Sequence, residues 1–130
     1  MSHRKLRVSV APVLVIAVGL LGLGAAGPVR HLALQASLPA ADAVVPSPAE
    51  IRLDFTEAPQ DGSTAIRLVD PTGTLLATGE VTRSTQDPTV FTSSVPQALA
   101  AGAYSVAWRA MAVDGHVLTE DFAFTVQAAE

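Results

Sequence analysis

The sequence predicts an all-β fold, a seven-stranded immunoglobulin-like Greek-key sandwich, preceded by an N-terminal signal or anchor helix. Three observations carry that expectation. Short runs of alternating apolar and polar residues recur from His31 onward, turn residues separate them, and no stretch beyond the leader keeps a helical period. About seven such strands in about 100 residues suit a two-sheet sandwich.

The strands follow in order. Ile51, Leu53 and Phe55 alternate with Arg52, Asp54 and Thr56, as one buried face requires. Ala65 to Val69 forms the next strand and is closed by Asp70-Pro71-Thr72-Gly73, a run of turn formers. Thr74 to Ala77 is its hairpin partner. Val90 to Val95, Ala103 to Ala112 and Phe122 to Val126 continue the series. Tyr104, Val106 and Trp108 share one face, as do Phe122, Phe124 and Val126, and Trp108 is expected between the sheets. Gln97 to Ala101 is expected to make a single helical turn.

The first 30 residues are of another kind. Residues 1–7 are basic, and Val8 to Ala26 form a nearly unbroken apolar run, the pattern of a secretory signal peptide. The run is also long enough to serve as an uncleaved membrane anchor. Either way the remainder is delivered across a membrane, to the periplasm or the extracellular space, and only the leader would touch the bilayer. The chain thus divides into a signal peptide or anchor with a short tail, 1–30, and one sandwich domain, 31–127. Small residues at Gly24, Ala25 and Ala26 favour a cut after Ala26, which leaves Gly27-Pro28-Val29-Arg30 ahead of His31. A cut directly before His31 would put Arg30 where the peptidase wants a small residue.

Composition narrows the chemistry. Cysteine is absent, so thiolate metal sites, disulfides and thiol nucleophiles are excluded. From His31 onward four basic and twelve acidic side chains give a net charge of −8, which offers nucleic acid no electrostatic attraction. Beyond the initiator, Met111 is the only methionine, so any metal would be held by nitrogen and oxygen. No serine can be placed beside a histidine as a nucleophile, and no enzymatic role is expected.

Two histidines follow the leader, His31 and His116. On an extended backbone Asp114 and His116 project to one side, with Gly115 leaving room between them. A carboxylate and an imidazole so placed can ligate a divalent metal, and tetragonal nitrogen–oxygen sites favour copper(II). Asp-Gly is equally a common turn dipeptide, and the histidine after it is often a surface residue. Glu57 and Asp54 suit solvated strand or turn positions. Arg109 is a candidate partner for a carboxylate near the site.

Several segments resemble one family. His31-Leu-Ala-Leu-Gln-Ala-Ser-Leu-Pro-Ala40 is similar to the first strand of CopC copper-resistance proteins, which begins with histidine and reaches a Ser-x-Pro turn. Leu53-Asp-Phe-Thr-Glu57 resembles the family's Leu-x-Phe-Ser-Glu segment. Tyr104-x-Val-x-Trp-Arg109, Asp114-Gly-His116 and Phe124-Thr-Val126 match its C-terminal block in order and spacing. The resemblance covers nearly all of 31–127. It implies an extracytoplasmic carrier or buffer for one copper(II) ion, bound by His31, Asp114 and His116, with His31 contributing its α-amino nitrogen where it is the mature N-terminus. It also implies a membrane copper-transport protein as partner. Glu120 departs from the glycine usual after Asp-Gly-His, and is expected to alter the loop or add a carboxylate near the metal. An immunoglobulin-like interaction or assembly module without metal is the alternative.

Overall fold

The computed structural model describes residues 31–129. The leader expected over residues 1–30 lies outside the described residues. Nine strands are present: β1 (Leu34–Leu38), β2 (Val44–Val45), β3 (Glu50–Phe55), β4 (Ala65–Val69), β5 (Leu75–Leu76), β6 (Thr82–Arg83), β7 (Val90–Ser94), β8 (Gly102–Met111) and β9 (Val117–Val126). They form a four-stranded sheet in the order β1-β3-β7-β6 and a five-stranded sheet in the order β2-β9-β8-β4-β5. The seven expected strands are all there. The two additional ones, β2 and β6, are two residues long, too short to show an alternation.

The ladders are antiparallel except one. Val44 and Val45 run parallel to Thr125 and Val126, so the N-terminal segment starts on one sheet as β1 and crosses to the other as β2. This covers part of the β9 edge, which would otherwise offer unpaired backbone groups to another chain.

Alternation places the core as expected. Ile51, Leu53 and Phe55 of β3 face Leu68 of β4 and Val106, Trp108 and Phe124 of β8 and β9, all within one buried cluster. Trp108 is 2% exposed, and its ring meets Phe55 edge-on at 5.2 Å between centroids. At the start of β8 the Tyr104 hydroxyl donates to the Ala100 carbonyl at 2.7 Å, the tyrosine corner typical of immunoglobulin-like sandwiches.

Gln97 to Ala101 forms no helical turn. Leu99 is instead drawn into the core and its N–H donates to the Ser47 hydroxyl, which leaves the segment a bend pinned between the sheets. Among the described residues no helix is long and apolar enough to cross a membrane.

Candidate metal centre

The longest pairing in the molecule sets the frame of the site. β8 and β9 are joined over ten residues each, from Gly102–Val126 at one end to Met111–Val117 at the other. Residues 112–116 close this hairpin at its tip. The Ala112 N–H donates to the His116 carbonyl at 2.8 Å, and the Gly115 N–H donates to the Ala112 carbonyl at 2.9 Å. Gly115 has φ +93°, the left-handed conformation that ends a three-residue hairpin loop at low cost only for glycine. Gln60 fixes the loop from outside, its side-chain amide donating to the Ala112 carbonyl at 2.9 Å and the Val113 carbonyl at 3.3 Å.

Asp114 and His116 meet because of this turn. The His116 N–H donates to Asp114 Oδ1 at 3.0 Å, and His116 Nδ1 lies 2.8 Å from Asp114 Oδ2. Their convergence was expected from strand alternation, but the backbone here is a turn, and the Asp-Gly turn signal and the paired side chains are two aspects of one loop. The His116 N–H holds the Asp114 carboxyl below its ordinary value, the His116 ring adds to this, and the charges of His116 and His31 contribute less. Both side chains are exposed.

His31 arrives from the other sheet. Its carbonyl accepts a 2.7 Å bond from the Thr56 hydroxyl, which in turn accepts from the Ala33 N–H at 2.9 Å. The Thr56 N–H donates to the Ala33 carbonyl as well, so the segment before β1 is clamped to the end of β3. This brings His31 to the rim of a cavity of about 280 Å³ lined also by Leu32, Glu57, Ala112, Asp114, His116 and Leu118. Asp114 and His116 touch. His31 and Glu57 share the cavity, yet among the described residues no three His, Asp or Glu side chains are gathered closely enough to hold a metal ion as they stand.

Glu57, expected as a solvated strand or turn residue, is half-buried and lines the cavity with the two histidines. Two sequence expectations are corrected. Glu120 does not line the cavity; it lies within β9 opposite Trp108, away from the hairpin tip. Arg109 pairs with no carboxylate among the described residues and lines a different cavity, on the outer face of the five-stranded sheet. Alternation explains this, since Trp108 points inward and its neighbour must point out.

Comparison with known proteins finds the same pattern elsewhere. The CopC domain family matches residues 34–127. Protein YobA of Escherichia coli K12 is 30% identical over 98 residues, which cover 75% of this chain and 79% of YobA. Among solved structures, CopC from Methylosinus trichosporium OB3b superposes with a TM-score of 0.70 at 31% identity, covering 77% of this chain and 97% of that one. PcoC, a methionine-rich copper resistance protein from Escherichia coli, superposes with a TM-score of 0.66 at 30% identity, covering 75% of this chain and all of its own.

Proposed function

This chain belongs to the CopC family, and from that premise we propose that it is a copper(II) carrier or buffer of copper resistance or homeostasis, acting outside the cytoplasm. One ion would be held by His31, Asp114 and His116. Glu57 is the nearest further carboxylate. The supporting observation is the contact between Asp114 Oδ2 and His116 Nδ1 at 2.8 Å. The contact is a hydrogen bond through Nδ1, so it sets the carboxylate beside the imidazole and leaves Nε2 as the ring nitrogen that can face a metal.

The donors suit the role. Asp114 enters as a carboxylate at neutral pH, and the turn holds its carboxyl below its ordinary value. His31 brings an imidazole and, where processing makes it the first residue, an α-amino nitrogen whose ordinary value is about 7.7–8.0 and which must shed its proton to bind. Release to a membrane copper-transport partner proceeds by ligand exchange at a site that is open to solvent. The role requires no chemical step on a substrate. The apolar run at Val8 to Ala26 supports export, and an uncleaved leader would tether the domain to the membrane.

His116→Ala tests the site. Loss of this side chain should cost more than the about 10–100-fold that removal of an outer-sphere partner costs a metal site. In the native protein, copper affinity should fall as the pH is lowered from about 8 to about 5, since nitrogen ligands bind metal only when unprotonated. Asp114 remains ionised over that range, so the loss belongs to the nitrogen donors. Tight binding retained by His116→Ala would refute the assignment.

A further inference from the structure

The domain after the leader has only four cationic side chains, all arginine, and they divide into two kinds. Arg52 pairs with Asp54, and Arg83 pairs with Asp61 while lying over the Phe91 ring. Arg67 and Arg109 have no ion-pair partner among the described residues. Both are exposed, and both line one shallow cavity of about 190 Å³ on the outer face of the five-stranded sheet. Its floor is Ala65 and Ala107. In the ladder Arg67 stands opposite Ala107, and Arg109 opposite Ala65. The arginines are therefore diagonal neighbours, about 7–8 Å apart at the backbone, with alanines on the other diagonal.

We propose that this face docks an extended acidic segment of a partner protein, with carboxylates two residues apart. Such residues in an extended chain lie on one side, about 6.6 Å apart, close to the diagonal backbone spacing of Arg67 and Arg109. Each guanidinium can take one carboxylate through two parallel N–H bonds. The alanine floor lets a backbone approach closely. Asp121, across from Ala107 on the same face, forms no ion pair among the described residues and marks the side from which an acidic chain is turned away. An anionic membrane fits less well, because two cations attract it only weakly.

The test uses the exported full chain with a chelator present, so that its outcome is independent of copper binding. A short fluorescein-labelled peptide carrying Asp-Val-Asp in a Ser/Gly frame is titrated by anisotropy, beside a peptide with the two aspartates adjacent. Arg67→Gln and Arg109→Gln should each weaken Asp-Val-Asp binding about three- to fivefold, and together about ten- to twenty-fivefold. Arg52→Gln should leave it unchanged, and the adjacent-aspartate peptide should bind more weakly. Thermal melts check that these surface variants stay folded. The proposal is overturned if the native chain does not bind the peptide, if the double variant binds it undiminished, or if phosphatidylglycerol vesicles bind more tightly with the same arginine dependence.

Discussion

Asp114 and His116 are held together by a residue with no side chain. A Cβ built on Gly115 meets nothing within 4 Å, so the glycine is required by its φ of +93° and not by crowding. Gly115→Ala should therefore destabilise the fold by about 1–2 kcal/mol in urea melts, the cost of a left-handed conformation for an ordinary residue. Gly115→Asn should cost less, since asparagine tolerates that region. Equal stability of the native and alanine proteins would show that the turn relaxes freely. The pair itself was legible in Asp114-Gly115-His116, because a turn dipeptide and a ligand pair need the same short spacing. The place of Glu57 at the cavity was not legible. A carboxylate after a strand looks solvated locally, and only the Thr56 bond to the His31 carbonyl reveals which loop it faces. Arg109 was legible in principle, because the inward face given to Trp108 already sends its neighbour outward.

At the scale of elements, turns closed by aspartate carry much of the polar order. Asp70 Oδ1 accepts from the Thr72 hydroxyl at 2.7 Å and from the Thr72 and Thr74 N–H groups at 2.9 Å, in the turn that joins β4 to β5. The Thr72 hydroxyl, then the Thr74 N–H, hold the Asp70 carboxyl below its ordinary 3.8. A carboxyl lowered on folding contributes stability that is complete above its ordinary value and is lost as the pH falls through its lower folded value. Asp70→Ala should lower the melting temperature by a few degrees at pH 7, and the difference should shrink as the pH falls below about 4. A difference that stays constant over this range would contradict that origin. The turn was legible because Asp-Pro-Thr-Gly states its own geometry. β9 was legible only from Phe122 onward, since Val117 to Asp121 carries Thr119, Glu120 and Asp121 and is held as strand by its ladder with β8. The bend at Gln97 to Ala101 was missed because its anchors, Ser47 and the core around Leu99, are tertiary.

In the whole molecule, the candidate centre lies where the two sheets end together. His31 leads into β1 of the four-stranded sheet, while Asp114 and His116 cap the β8–β9 hairpin of the five-stranded one. A single core from Leu32 to Val126 joins the two sheets, and residues far apart in sequence are brought to one end of the sandwich. The sandwich was legible because its strands alternate and its turns announce themselves. The meeting of His31 with the hairpin tip was implied only by family resemblance, for no local pattern encodes a contact between sheets. The Arg67–Arg109 face lies on the outside of the same five-stranded sheet, so a partner held there leaves the hairpin tip uncovered. The central claim is that this arrangement captures one copper(II) ion, and it is tested most directly by titrating copper(II) into protein exported with its own leader, followed by electron paramagnetic resonance. One tight equivalent with a tetragonal, nitrogen-rich signal is the expected result; only weak and heterogeneous binding would contradict it.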